Sequence, residues 1–244
     1  MLTPVQNQLG QPVGPSLPGW NPPPRPARQP MGGRTCRMEP LEPATHAASL
    51  HRENSLDREG SMWTYLPYGP FKSPEIYGEW LTDCARSSDP LFFAIVDPNT
   101  GDALGLAAYL RIVPEGGSIE VGHLNFSLRL QRTPAATESM FLMMRTAFAL
   151  GYRRYEWKCD ALNAKSRSAA QRLGMSFEGV FRQATVYKGR SRDTAWYSVL
   201  DHEWPALERA FVHWLDPTNF NDQGRQQVRL SELTAPLRSS PSHF

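Results

Sequence analysis

The sequence predicts an α/β domain of the α+β type. Three apolar runs between residues 91 and 126 are parted only by short turn sequences, and from there strands and helices alternate to residue 215. A chain of 244 residues with 40% hydrophobic and 11% aromatic content is also enough to fill one core. The charge is nearly balanced, with 26 Lys and Arg against 24 Asp and Glu mixed along the chain, so no phosphate-facing patch for nucleic acid is expected. Cys36, Cys84 and Cys159 are odd in number and far apart, which suits a reducing compartment rather than a disulfide framework or a zinc cluster. No apolar run reaches the ~18 residues of a membrane span, and the N-terminus lacks the apolar stretch of a signal peptide. A cytoplasmic location without membrane contact is therefore expected.

Nine of the 22 prolines fall in residues 1–30, including the run Pro22-Pro23-Pro24, so this arm is expected to lack regular structure. It reads either as a plain extended arm anchored by Trp20 or as a polyproline ligand for a groove-bearing partner. Residues 31–215 are expected to form the domain, and 216–244 an extension that packs in part and then frays. Within the domain a strand is expected at 35–41, then helices at 45–53 and Pro74–Arg86. The run 91–97 stops at Pro98-Asn99-Thr100-Gly101, and Ala103–Val113 stops at Pro114-Glu115-Gly116-Gly117, which makes a hairpin. In the third strand, Ser118–Phe126, strict alternation puts Ile119, Val121 and His123 on one face and Glu120, Gly122 and Leu124 on the other. A bulge would break that alternation.

The strongest helix follows, with Thr133 as N-cap, Pro134 at its first position, Met140, Met144, Ala147 and Phe148 on one stripe, and Gly151 as its close. Residues 153–159 read as a strand with Tyr155 and Trp157 on one face, and 163–173 as a helix capped by Asn163 and stopped by Gly174. Strands at 177–187 and 194–201, joined by residues 188–193, and a helix at 203–215 complete the domain. The charged run from Lys188 to Arg192 reads as a solvated turn or as a lip of a substrate mouth. The stretch Leu130-Gln131-Arg132-Thr133-Pro134-Ala135-Ala136-Thr137-Glu138 joins a strand to an amphipathic helix. Free N–H groups and the helix dipole there favour an anion such as a pyrophosphate, although the same residues fit a plain helix start.

Several stretches agree in order and spacing with one known group: Ile119-Glu120-Val121-Gly122-His123, Leu130-Gln131-Arg132-Thr133, Ala136-Thr137-Glu138, Gly151-Tyr152-Arg153-Arg154-Tyr155-Glu156-Trp157, Asn163 with Ser166, Leu173-Gly174-Met175 and Lys188-Gly189-Arg190. Between Gly33 and Leu230 the chain resembles the Gcn5-related N-acetyltransferase (GNAT) superfamily, and most of all its RimJ/RimL-like branch. The resemblance implies a mixed, mostly antiparallel central sheet flanked by helices, with a V-shaped splay between the central strands. It also implies acetyl transfer from acetyl-CoA to a primary amine by direct attack, with no metal and no covalent enzyme intermediate. The acceptor is a protein N-terminus or a small-molecule amine; the alternative is a non-catalytic acyl-CoA-binding or regulatory module on the same fold. A homodimer is compatible with either reading.

Carried over by position, the superfamily's pyrophosphate motif, Gln/Arg-x-x-Gly-x-Gly/Ala, falls on Gln131, Arg132, Thr133, Pro134, Ala135 and Ala136, with Thr137 next. Pro134 stands where the motif has Gly and offers no N–H, so the remaining amides and the side chains of Arg132 and Thr133 are expected to grip the phosphates. Amides around Leu124, Asn125 and Phe126 are expected to hold the thioester carbonyl and its oxyanion. An alkyl amine has a pKa of ~10, so a base must collect a proton. Glu120 is the first candidate and His123 the second, each with a structural alternative: an edge-strand carboxylate paired with a base, and a hydrogen-bonded histidine. Asp160 is the third. The superfamily's leaving-group tyrosine falls on Ala170, so Ser166 or water is expected to protonate the thiolate, with Asn163 beside the pantetheine. Arg167 and Arg172 are expected in solvent rather than on phosphate. Trp63, Tyr65 and Tyr68 form either an aromatic wall for the acceptor or core beneath its loop.

Overall fold

The computed structural model describes residues 4–239. In chain order the elements are β1 (Val5–Gln6), β2 (Pro12–Val13), β3 (Met31–Gly32), β4 (Arg37–Pro40), α1 (Pro43–Asn54), α2 (Pro74–Arg86), β5 (Leu91–Val96), β6 (Ala103–Val113), β7 (Ser118–Phe126), α3 (Pro134–Ala149), β8 (Arg154–Asp160), α4 (Ala164–Arg172), β9 (Ser176–Tyr187), β10 (Arg190–Leu200), α5 (Trp204–Leu215) and α6 (Leu230–Thr234). Strands β3-β4-β5-β6-β7-β8-β10-β9 form one sheet in that order, antiparallel except where β7 runs parallel to β8. The mixed, mostly antiparallel sheet flanked by helices is thus the observed architecture.

Helix starts follow their local chemistry. Ser73 caps α2 and Thr133 caps α3, each followed by proline in the first turn, where its missing N–H costs nothing. In α1 the same logic moves the start to Pro43, ahead of the expected Thr45, because the Glu42 side chain accepts from the Ala44 amide. Gly174 ends α4 with φ +85°, a conformation that few other residues tolerate. The expected loop at 188–193 shrinks to a two-residue turn, because Lys188 (φ +49°) and Gly189 (φ +70°) both take the left-handed values that match the twist of a tight hairpin.

One sheet face carries the main core: α3, α4, α5 and α6 bury Tyr155, Trp157, Tyr197, Met143, Phe211 and their neighbours there. The other face is half covered. Helices α1 and α2 seal β5 and β6 through Leu50, Tyr77, Leu81, Phe92, Leu106 and Ala108, and leave the β7-β8-β10-β9 half outside this second cluster. Period-two alternation therefore places Tyr155, Trp157 and Cys159 in the main core and Glu156, Lys158 and Asp160 on the half-open face.

The arm is more ordered than its composition suggested. β1 and β2 form a small hairpin, Trp20 lies against Gly117 and under the Arg153 guanidinium, and Arg25 donates to the Ile112 carbonyl and to Asp89. Pro23 and Pro26 are buried, so part of the proline run packs on its own domain. In the C-terminal extension Leu230 and Thr234 are fully buried, and Ser239 is tied to Ser176 and Glu203. Ser240 and Pro241, expected to fray, lie outside the described residues.

Glu138, on the second turn of α3, joins the start of the domain to its centre. Its buried carboxylate accepts from the amides of Arg34 (2.8 Å), Thr35 (2.5 Å) and Cys36 (3.1 Å) and from the Thr35 hydroxyl (2.5 Å). Removing it strands three amides that have little access to water. Glu138→Ala is expected to lower unfolding free energy by about 2 kcal/mol or more in urea denaturation. A loss below ~0.5 kcal/mol, the level of an ordinary surface change, would contradict this role.

Candidate active site

The centre of the sheet opens where β7 and β8 part. Their parallel pairing runs from Ser118 with Arg154 to Val121 with Trp157 and then stops. β7 continues to Phe126 on β6, while β8 continues to Asp160 on β10, so the facing edges of Gly122–Phe126 and 158–160 are unpaired with each other. This is the V-shaped splay. A cleft of about 520 Å³ lies over it.

A bulge shapes the β7 side. Gly122 pairs with Ala108 and Asn125 with Leu106, so His123 and Leu124 together oppose Ala107, and His123 takes φ +52°. Strict alternation put His123 with Ile119 and Val121. The bulge instead turns it to the Glu120 side, where it packs on Phe92 (5.0 Å) and stacks on Tyr68 (5.6 Å, 3°). The Tyr68 hydroxyl lies 3.1 Å from His123 Nδ1. Burial pushes this phenol far up, so it stays protonated; as donor to Nδ1 it leaves the imidazole proton on Nε2. Burial, with help from Arg111, lowers the His123 pKa to about 4.

Glu120 is not on an edge: β7 is a central strand, and Glu120 is 3% exposed. Arg111 Nη1 meets both its oxygens at 2.9 and 2.8 Å, and Lys158 Nζ meets Oε2 at 3.0 Å. Lys158 also pairs with Glu156 (2.8 Å) and sits 3.6 Å from the centre of the Trp196 ring. Arg154 continues the line to Glu156 and Glu178. Burial raises the Glu120 pKa, opposed chiefly by Lys158 and then by Arg111. Arg111 is aimed by a second irregularity: it takes φ +45°, and its amide and that of Ile112 donate to the Asp89 carboxylate at 2.8 and 3.0 Å.

Ser166 and Asn163 line the cleft at the start of α4. Asn163 Oδ1 caps the Ser166 amide (3.1 Å), and the Ser166 hydroxyl accepts from Trp157 Nε1 (3.0 Å), which leaves its own proton to donate. Asp160 has one oxygen on the Leu162 amide and the other on the Tyr187 hydroxyl, both 2.8 Å, so it is spoken for as a turn and hairpin anchor. Tyr65 lines the cleft and reaches the Leu162 carbonyl (3.3 Å). Trp63 does not: its ring is 4% exposed in the second core beside Gly69 and Phe71, and Tyr68 supports His123 from behind. Of the three aromatics expected as a wall, only Tyr65 faces the cleft.

At the start of α3, the Thr133 hydroxyl donates to Leu130 O (2.6 Å) and accepts from the Ala136 amide (3.2 Å), so it is not the free donor expected. Gln131 Nε2 holds the Phe126 carbonyl (2.8 Å), and the Thr137 hydroxyl accepts from Arg172 (3.0 Å). Arg172 lies over the Trp214 ring and Arg167 bonds Tyr197 and Ala161, so neither is the solvent arginine expected. Asn125 Nδ2 donates to Met62 Sδ (3.4 Å), and both Met62 and Leu124 line the cleft. Among the described residues the amides of Arg132 (φ +63°) and Ala135 have no hydrogen-bond partner. These two free donors flank Pro134 at the helix start, where the dipole favours an anion, which fits a pyrophosphate.

Arg111, Lys158, Trp196, Met62 and Arg192 also line the cleft. The alternation of Glu156, Lys158 and Asp160 against Tyr155, Trp157 and Cys159 was a signal for Lys158; Arg111 carried none, because its aim depends on Asp89. Burial raises the thiol pKa of Cys36, Cys84 and Cys159, Cys84 to about 12, so none is an activated nucleophile. Among the described residues no group of three or more His, Cys, Asp or Glu is placed to hold a metal ion, and no helix is long and apolar enough to cross a membrane.

Residues 36–176 match the model of the acetyltransferase (GNAT) domain. The chain belongs to the GNAT acetyltransferase family. A GCN5-related N-acetyltransferase structure from Brucella melitensis is 44% identical over 90% of this chain and 100% of its own, with a TM-score of 0.88. A GNAT-family structure from Chromobacterium violaceum is 42% identical over 80% of this chain and 98% of its own, with a TM-score of 0.75. RimL, a ribosomal L7/L12 α-N-protein acetyltransferase, shares the fold at 19% identity, covering 70% of this chain and 94% of its own, with a TM-score of 0.61. No match was found among curated proteins. RimL thus shares the fold of this GNAT chain, and acyl transfer is the chain's class of chemistry.

His123 should be neutral throughout the physiological range. Its folded pKa lies below the unfolded value near 6.5, so the unfolded chain binds a proton the folded one refuses, and stability falls as pH drops from about 6.5 to about 4. An NMR titration is expected to show the imidazole charging near 4; a midpoint above 6 would contradict the buried stack.

Proposed function

We propose that this GNAT protein transfers an acetyl group from acetyl-CoA to a primary amine by direct attack within the splay. The observation that carries this reading is the buried Glu120 carboxylate beside the opening of β7 and β8. Acetyl-CoA, when bound, supplies a thioester whose leaving thiolate needs only a proton or a hydrogen bond. The amides of Arg132 and Ala135 would hold its pyrophosphate, and the amides around Leu124, Asn125 and Phe126 its acyl oxygen. Glu120 collects the amine proton, directly or through water; burial strengthens it as a base while Lys158 and Arg111 keep it ionised. His123 presents Nε2–H as a donor and Ser166 faces the departing sulfur, with Asn163 beside the pantetheine. Tyr65 stands on the acceptor side. The fold shared with RimL, which acts on a ribosomal protein N-terminus, supports a protein N-terminus as one acceptor; a small amine is the other. Residues 1–30 serve as an arm and 216–244 as an extension of the acetyltransferase domain at 31–215.

Two residues favour a non-catalytic acyl-CoA-binding module instead: Pro134, which removes an amide from the phosphate seat, and Ala170, fully buried where the superfamily has tyrosine. Calorimetry with acetyl-CoA, CoA and desulfo-CoA is expected to give micromolar binding. Glu120→Gln should leave that binding intact and cut thiol release with an amine acceptor by about 100-fold or more. Equal and negligible rates for wild type and variant, with binding retained, would favour the module.

A further inference from the structure

Resting on that reading, we propose that the acceptor carries a carboxylate in addition to its amine, and that Arg192 binds it. Arg192 is the exception among the cations of the cleft. Arg111 is satisfied by Glu120, and Lys158 by Glu120 and Glu156. Arg192 lines the same cleft, half-buried, yet among the described residues it has no ion pair and its guanidinium makes no hydrogen bond. Its Nε is sealed from solvent with no partner. A ligand therefore meets this guanidinium through its two terminal nitrogens, which are neither paired nor sealed and match a carboxylate with two parallel bonds.

The neighbours offer no internal substitute. The Arg192 guanidinium lies 5.7 Å from the Tyr187 ring centre, and the Tyr187 hydroxyl already holds Asp160, whose second oxygen takes the Leu162 amide. Asp193 holds the Gln183 amide. Within the cleft the carboxylates are thus committed and one guanidinium is left over. The tip of the hairpin is fixed as well: Lys188 Nζ donates to the Trp63 carbonyl (2.7 Å), so the wall that carries Arg192 is tied to the loop that carries Tyr65.

Along β10, Arg192 lies four residues from Trp196, which pairs with Lys158; that is roughly 13 Å of strand, less the reach of the side chain. The carboxylate therefore belongs some distance from the reacting amine. An acidic side chain in the first few residues of a peptide suits this spacing, and so does a longer amino-carboxylate.

Matched acceptors separate these sources: peptides with Glu or Gln at the second to fourth position, ω-amino acids of increasing length, and their amides. Each is measured for binding by calorimetry in the presence of desulfo-CoA and for thiol release with acetyl-CoA. The expected result is a preference for the carboxylate member of roughly ten-fold or more, seen in binding and in KM, that falls to about one in Arg192→Gln and is partly restored in Arg192→Lys. Equal affinity for both members of every pair, or a preference that survives in Arg192→Gln, overturns the proposal. Loss of thiol release with every acceptor while the binding preference persists overturns the acetyltransferase reading and leaves the carboxylate site standing.

Discussion

The parting of β7 from β8 is the constraint on which the remaining architecture depends. Two parallel neighbours share four residue pairs and then separate, because each is claimed by an antiparallel partner on its outer side. Backbone polar groups left unpaired inside a sheet need partners, and a gap between two strands can supply them only to another extended chain or ligand. The bulge at His123 and Leu124 follows this opening and leads through Gln131, which holds the Phe126 carbonyl, to the helix start at Thr133, so unpaired edges, an aromatic stack and free amides lie on one stretch of chain.

The half-covered face explains why charge gathers beside it. With α1 and α2 sealing β5 and only the first part of β6, the side chains of the end of β6 and of β7, β8 and β9 that point to the same face must be stable near water yet partly desolvated. They form an alternating line, Arg111, Glu120, Lys158, Glu156, Arg154 and Glu178, in which every carboxylate touches at least one cation. Such a line is costly to break at one member, since the partner is then buried unpaired. It also holds Glu120 in one rotamer without relying on helix packing.

The fold was legible because its local signals are strong and independent. Ser73-Pro74 and Thr133-Pro134 start helices, Gly174 stops one, and the Pro- and Gly-rich turns after Asp97 and Val113 separate strands whose bounds match the structure closely. The site was less legible, since it is built by irregularities that only pairing partners decide. The bulge that turns His123 depends on β6, and the left-handed Arg111 depends on Asp89, which reaches it from before β5. Nothing local distinguishes Tyr65, which faces the cleft, from Trp63, which is core. Thr133 looked like a free donor because its partner, Leu130 O, is a loop carbonyl, and the Thr137 hydroxyl is taken by Arg172, 35 positions away.

The arm shows how little contact can order a long segment. Trp20 on Gly117, Pro23 and Pro26 at the surface of the domain, and Arg25 on Asp89 are few anchors for so many residues. A proline-rich segment has fewer conformations to surrender than an ordinary one, so its docking carries a smaller entropic penalty. Arg25 and the amides of Arg111 and Ile112 share the Asp89 carboxylate, so the arm is anchored on the same group that holds the strand irregularity aiming Arg111 at Glu120.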